Sequence, residues 1–521
     1  MRSKFIIVSC LFLISCGGGG GGGVPVPVVP APPPIPTLGV TLVPSASTLN
    51  VTEDSTVGTF KIDATYTGDS TDPIVPVLAL DNNLLQIEGA ITQSGKTFSA
   101  TLKSKDGLAV KQHKSTVQLR LCKEAGCTTV YPGSTASFEH TIEVSLSNWT
   151  TRQRNAAHNG YVRLTLDPTK FSKSWEYISP TAVSIEPIAA QAGSVFTTVR
   201  NNDGSTSSLA LNGNSGAQLW RYNFGNIHSA SGPAIVGNQL IFSTMQTSST
   251  NNQMTVLNAS TGQFARNFVF ASQWSTFAQP TPSGDSAYIA SGYYGNVVYG
   301  YDLKAGRAMF EVNGSGGKTW DGQTPAVDSK YIYYYSGNLD VFDRTTGALV
   351  KSIPDPFWTW NGYSYGGTPM ISSDNNVIAF SGNGQGTYNV SFPLVNFNIQ
   401  TGVHRWRTTE RYDGHPAAAK GVIYAWSNEF GQLSAIEEAT GKILWAWPLP
   451  GGQQFFGNII VTENLLFLST TSGIYAIDLT GTRQTVWTAP TPGWIAITPD
   501  AKLVVNSYNL SPVKLTSYSL R

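Results

Sequence analysis

The chain has 521 residues, a formal net charge of +1, 41% hydrophobic residues and only 12% charged ones. That length leaves room for more than one domain. The near-neutral charge, with no basic run anywhere, excludes an electrostatic grip on nucleic acid. Fifty-two glycines and twenty-two tyrosines favour many short strands joined by turns.

Residues 1–16 have the pattern of an export signal: Arg2 and Lys4 at the start, an apolar run over 5–14, and Leu13-Ile14-Ser15-Cys16 as the processing site. The run is too short to span a bilayer, which takes ~20 apolar residues. The tetrapeptide is similar to the bacterial lipobox, and the resemblance implies that Cys16 becomes the lipidated first residue. Gly17 after it, rather than an aspartate, resembles the default for transfer to an outer membrane. Residues 17–37 read as a linker. Seven glycines at 17–23 make flexible coil, and VPVPVVPAPPPIP at 24–36 makes stiff polyproline II at ~3.1 Å per residue. Together they are expected to tether the folded part at a distance from the bilayer.

Residues 38–148 are expected to form an immunoglobulin-like β-sandwich. Phe60, Ile62, Ala64 and Tyr66 alternate, as do Val117, Leu119 and Leu121, and then Phe138, His140, Ile142, Val144 and Leu146. His140 falls on the apolar face, which makes it a hydrogen-bonded core histidine rather than a ligand. The segment LRLCKEAGCTTVYPGS is similar to a motif in Ig-like modules that precede propellers in bacterial envelope proteins. Cys122 and Cys127 within it are the cysteines that remain after lipidation. In an exported protein they favour a local disulfide over zinc, because no second pair of ligands accompanies them.

From 149 to 521 the chain repeats itself. SLALNGNSGAQLWRY around 209–222 returns as VLNASTGQFAR, YDLKAGRAMF, VFDRTTGALVK, NFNIQTGVHRW, AIEEATGKILW and AIDLTGTRQTVW. Each copy is an apolar run, a polar turn closing on glycine, and a second apolar run, the pattern of a β-hairpin whose turn needs positive φ. The turn glycines Gly216, Gly262, Gly306, Gly347, Gly402, Gly441 and Gly481 are spaced by 46, 44, 41, 55, 39 and 40 residues. A second phrase, such as GPAIVGNQLIFS from Gly232 or HPAAAKGVIYAWS from His415, precedes each hairpin and supplies two more strands. Four strands in such a period describe a propeller blade. Seven hairpins are complete and the last stretch supplies only three strands. FSKSWEY at 171–177, with Trp175 in the repeat's tryptophan position, is expected to close an eighth blade and remove the exposed edge. The fold class expected is therefore all-β, an eight-bladed β-propeller preceded by an immunoglobulin-like β-sandwich.

The repeats resemble the bacterial β-propellers with quinoprotein-like (PQQ-type) repeats. The residues that carry the likeness are the Thr-Gly turns and the tryptophan four positions on, as in Gly216–Trp220, Gly402–Trp406 and Gly441–Trp445. Other copies place Arg266, Phe310 and Lys351 there, and Trp487 comes two residues late. The resemblance implies fold more than activity. Quinone-dependent dehydrogenases of this fold resemble one another in an adjacent cysteine pair over the cofactor, a calcium site and an aspartate base. This propeller contains no cysteine and only scattered acids such as Glu186, Asp321 and Asp413, so neither a cofactor nor a metal site is expected. His228, His404 and His415 are too scattered for one.

Strand order places the loops between outer and inner strands on one face, opposite the Thr-Gly turns. The residues that open the inner strands, Glu186, Gly232, Gln279, Thr324, Thr368, His415, Asn458 and Trp494, are expected to ring the channel mouth. Trp274, Trp320, Phe357, Trp358, Trp360, Tyr363 and Tyr365, with His415, are the candidate binding residues, since aromatics concentrate binding energy. Packing between blades is the competing use of such rings. The function expected is a lipid-anchored, non-catalytic propeller at the outer membrane, facing periplasm or cell surface, that binds or scaffolds an envelope protein. It is distantly similar to the propeller lipoprotein of outer-membrane protein assembly. A glycan-binding or glycan-cleaving propeller is the alternative.

Overall fold

A computed structural model describes residues 34–246, 252–272, 279–290, 296–317, 324–358, 368–372, 376–381 and 391–521. Cys16 and most of the linker lie outside them. The described residues are built of strands with two single-turn 3₁₀ helices, Pro168–Lys170 and Pro450–Gly452. Among them no helix is long and apolar enough to cross a membrane.

The first unit is a two-layer sandwich. One sheet runs Gly39–Val43, Thr59–Thr67, Thr97–Ser104, Leu85–Ser94, and the other runs Ala46–Thr52, Val130–Ser145, Gln112–Cys122, Val75–Ala79. All neighbours are antiparallel except Ala46–Thr52, which pairs parallel to Val130–Ser145. The alternation legible in the sequence is what folds it: Ile62, Ala64 and Tyr66 from one sheet meet Val117, Leu119, Phe138 and Ile142 from the other in one core. His140 is fully buried there, its Nδ1 2.6 Å from the Ser47 hydroxyl and its ring stacked on Phe60, and burial lowers its pKa. Cys122 and Cys127 are joined, with Cα atoms 5.1 Å apart.

From Ala182 onward the chain meanders through successive antiparallel units of four strands, the first two carrying a short extra strand and two later ones joined by a single parallel pair, His415 with Asn458. In the first, Ala189–Gln191 pairs with Ser194–Asn201, then Thr206–Asn212, then Gln218–Gly225. The second and third strands are buried almost throughout, whereas the outer strand alternates exposed and half-buried positions. The last sheet is Trp494–Ile497, Lys502–Asn506 and Lys514–Ser519, completed by Ser172–Ile178 from the other end of the repeat region. Closure of the first and last sheets in this way is the architecture of a β-propeller.

One contact recurs between successive sheets. From Gly216 to Gly402 the side chain four residues after each turn glycine covers the turn glycine of the following sheet, and Trp175 covers Gly216 in the same way. A Cβ on Gly216, Gly262 or Gly441 would stand 2.7, 2.5 or 2.7 Å from the rings of Trp175, Trp220 and Trp406. Glycine is therefore required twice over at these turns, by φ near +70° and by the ring above it. The indole N–H of Trp175, Trp220 and Trp406 donates to Gly213, Ala259 and Glu438, in each case the carbonyl three residues before that glycine. Lys351 makes the same bond to Ile399 with its ammonium, at 3.0 Å. The drifted repeat thus keeps the hydrogen bond without the ring.

The seventh turn corrects the sequence reading. Gly481 does not take the positive φ; Arg483 does, at 56°. Six residues link Gly473–Asp478 to Thr485–Ala489, one more than link Thr206–Asn212 to Gln218–Gly225, so the left-handed position falls on the penultimate residue, Arg483. Counted from Arg483, Trp487 is four residues on and in register.

Candidate functional site

The axis of the propeller is occupied by segment 149–164, WTTRQRNAAHNGYVRL, which no sequence pattern marked. It visits the inner strands in order. Trp149 exchanges two backbone bonds with Ala190, the Ile235 N–H donates to Thr150, and the Thr151 hydroxyl donates to Pro280. The N–H groups of Val327, Ile371, Ala418 and Val461 then donate to the carbonyls of Ala156, Ala157, Asn159 and Gly160, at 2.8–2.9 Å. Gln153, Arg154, His158 and Gly160 all have positive φ, a cost that the surrounding bonds offset. A Cβ on Gly160 would meet Gln153 Nε2, the Ile459 carbonyl and Ala417 within about 3 Å, so only glycine passes.

Side chains of this segment reach the residues that open the inner strands. Arg152 Nη1 lies 3.3 Å from His415 Nε2, and its guanidinium stacks over Trp494 at 5.4 Å. His415 and Trp494 are themselves in ring contact at 5.0 Å. Gln153 donates to the carbonyls of Pro416 and Ile459 and accepts from Asn458, whose amide also donates to Ile495. His158 Nε2 sits 2.9 Å from the Thr281 hydroxyl, which lies 2.7 Å from that of Thr324. Gln279 donates to Pro187, Ile188 and Pro233. The structure therefore gathers Glu186, Gln279, His415, Asn458 and Trp494 around a cation, Arg152, that the sequence reading missed, and sets Thr324 apart, against Thr281 beside His158. A polar, glycine-bearing stretch with two arginines and a histidine beside a domain boundary was the only available signal.

Burial sets the charges. It holds His415 well below its ordinary pKa, with Arg152 adding to the effect, and takes His158 down to about 4. Both rings are neutral at neutral pH. Glu186 is pushed up to about 7 by burial, against the opposing field of Arg152. Asp413, beside Asn428, is raised to about 6 by burial. Because the folded value of Glu186 lies above its ordinary 4.5, its contribution to stability is full below that value and is lost as the pH rises through about 7. Glu186→Gln cannot ionise. It should melt with the parent protein near pH 4 and above it near pH 8, and equal melting temperatures near pH 8 would refute the assignment.

Of the aromatic candidates, Trp274, Trp320, Trp360, Tyr363 and Tyr365 lie outside the described residues. Trp358 is packing: it joins the core formed by Tyr335, Leu339 and Phe397, edge-on to Tyr335 at 5.9 Å, with its indole over Gly337. Phe357 is exposed, with the Arg407 guanidinium over its ring at 4.9 Å and His404 edge-on at 5.4 Å. Among the described residues no group of three or more His, Cys, Asp or Glu is placed to hold a metal ion.

The repeated sheets, their interlocking turns and the closed ring define a PQQ-type β-propeller protein. The family described as outer membrane protein assembly factor BamB matches residues 205–447 and 394–508, together more than half of the chain, and the chain belongs to that family. Two solved structures share the fold. BamB from Moraxella catarrhalis is 17% identical with a TM-score of 0.50, over 67% of this chain and 99% of its own. The quinohemoprotein alcohol dehydrogenase ADHIIG from Pseudomonas putida HK5 is 14% identical with a TM-score of 0.51, over 72% of this chain and 80% of its own. No curated protein matches the chain.

Proposed function

We propose that this chain is a lipid-anchored, non-catalytic envelope protein whose propeller binds or scaffolds a protein partner at the outer membrane. The observation that carries the reading is membership of the outer-membrane assembly factor family across the repeated sheets. Counted among the described residues, the four-stranded units number eight, which supports eight blades. The two-sheet N-terminal unit is read as an immunoglobulin-like spacer. Leu38, just after the linker, bonds Pro132 at the start of Val130–Ser145, while Ser145 at the far end of that strand bonds Glu53 beside the propeller. The linker and the propeller thus attach to opposite ends of the sandwich, which suits a spacer. The fold likeness to a quinohemoprotein dehydrogenase carries no activity across, because this propeller lacks any cysteine to clamp a quinone.

The test has two arms. Cys16→Ser should release the protein from membranes and abolish acyl labelling, and retention with labelling would refute the anchor. Purification of the anchored, full-length chain from the envelope should co-isolate an outer-membrane protein in defined ratio, and that protein should be lost when the propeller is deleted. Recovery of the chain alone, after mild solubilisation, would overturn the scaffolding reading.

A further inference from the structure

Between the sandwich and the propeller lies a cavity of about 460 Å³, within the size range of ligand sites. Leu108, Leu164 and Leu520 give it an apolar lining, and all three are buried. Much of the rest is main chain. Segment 163–166 runs beside residues 463–464 and uses only one of its edges there. The Leu164 carbonyl accepts from the Glu463 N–H, and Leu166 donates to and accepts from the Asn464 side chain. The Leu164 N–H is taken up by the Val162 carbonyl. Alternation turns the N–H and carbonyl groups of Arg163 and Thr165 the other way, and both residues line the cavity. Among the described residues these four groups have no partner. On the sandwich side, Ala109 and Val110 present two more N–H groups without one. The charged side chains are mostly matched: Arg163 lies 3.4 Å from Asp106, Lys170 lies 4.0 Å from Asp167, and Glu463 pairs with Lys420. The Arg521 guanidinium has no acidic partner among the described residues, and partial burial lowers its pKa.

Ligand classes can be compared against this set. A sugar ring would find nothing to stack on, since no aromatic side chain among the described residues lines the cavity. A small anion could answer Arg521 but would face the free carbonyls of Arg163 and Thr165. An acyl chain would strip water from the unpaired main-chain groups and replace none of their bonds, which costs binding energy. An extended peptide presents donors and acceptors along its edge with the repeat that segment 163–166 offers, and an acidic side chain on it would pair with Arg521. We propose, building on the scaffolding reading above, that this cleft receives an extended segment of the protein partner, its main chain bonded to Arg163 and Thr165 and an acidic side chain set against Arg521.

The full-length protein is titrated with the blocked pentapeptide acetyl-Thr-Val-Asp-Val-Thr-amide, its lysine-centred counterpart, and two copies N-methylated on alternate residues. The acidic peptide should bind with a dissociation constant at or below about 1 mM. The lysine peptide and at least one methylated copy should bind about tenfold more weakly or worse. Arg521→Glu should reverse the order of the acidic and basic peptides. Ala109→Trp, which sets a large ring in the cavity, should abolish binding of both. Both positions are exposed, so both variants should fold. In the envelope purification described above, Ala109→Trp should also lose the co-isolated outer-membrane protein. Peptide binding with no co-isolated protein supports the cleft and faults the scaffolding reading alone. A partner retained by Ala109→Trp and lost on deletion of the propeller keeps the scaffolding reading and overturns the cleft as its docking place. No binding of the acidic peptide at about 1 mM, or equal binding of the acidic, basic and methylated peptides, also overturns it.

Discussion

Replacing Arg154 with Met should destabilise the protein by about 3–5 kcal/mol, the usual cost of leaving one partner of a buried ion pair behind. Arg154 is 3% exposed and Glu53 fully buried, their charged atoms 2.6 Å apart, and Arg154 also reaches Asp54 at 2.6 Å and the Tyr161 carbonyl. Glu53 in turn accepts from the backbone and hydroxyl of Ser147 at 2.7 and 3.1 Å, and its own carbonyl accepts from Arg163. This cluster joins the sandwich to the axial segment. Burial raises the Glu53 pKa and Arg154 opposes that rise, so the variant would leave a buried acid with its main compensation removed. The check is chemical denaturation of Arg154→Met, Glu53→Leu and the double variant. The double variant should be markedly more stable than either single one, because it buries no lone charge. Additive losses would mean that the pair does not couple the two units.

The second large effect concerns ring closure. Trp175→Ala should cost about 3–5 kcal/mol, as expected for a buried aromatic. Trp175 is 7% exposed, donates to Gly213 at 2.9 Å, and covers Gly216 of the first sheet while its own strand pairs with Lys514–Ser519 of the last. Loss of the ring removes packing and a hydrogen bond from the contact between the last sheet and the first. Deletion of 171–178 should be more severe, because it bares the full edge of Lys514–Ser519 to intermolecular pairing. The measurements are melting temperature and the fraction of soluble monomer. A deletion variant that remains monomeric and melts with the parent protein would show that the ring does not depend on this strand.

The repeat was legible because everything that defines it is local. A hairpin, its left-handed turn and the ring four residues later all lie within about a dozen residues, where backbone sterics act directly. The alternation of Ile62, Ala64 and Tyr66 was legible for the same reason: a two-residue period places side chains on one face of a strand whatever lies elsewhere. Gly481 misled because the spacing of seven glycines is a property of the sequence, whereas the place of positive φ depends on loop length, which shifted it to Arg483. Trp358 was ambiguous for a related reason. A loop tryptophan reads the same whether it faces solvent or, as here, folds back over Gly337 of the sheet whose last strand it follows.

What the sequence by itself determined is the unit: strands, turns, the interlocking ring position and the candidates for the channel mouth. What only the tertiary structure decided is how the axis is filled. Segment 149–164 has no period because its partners are not its neighbours; its carbonyls and side chains bond residues some 40 to 300 positions away, on one inner strand after another. A path dictated by the spacing of surrounding sheets leaves no repeating signature in the residues that follow it. Arg152 and Arg154 differ only by two positions in sequence, yet one faces the mouth beside His415 and Trp494 and the other faces the sandwich beside Glu53. That division is set by the left-handed turns at Gln153 and Arg154, which the neighbouring strands enforce.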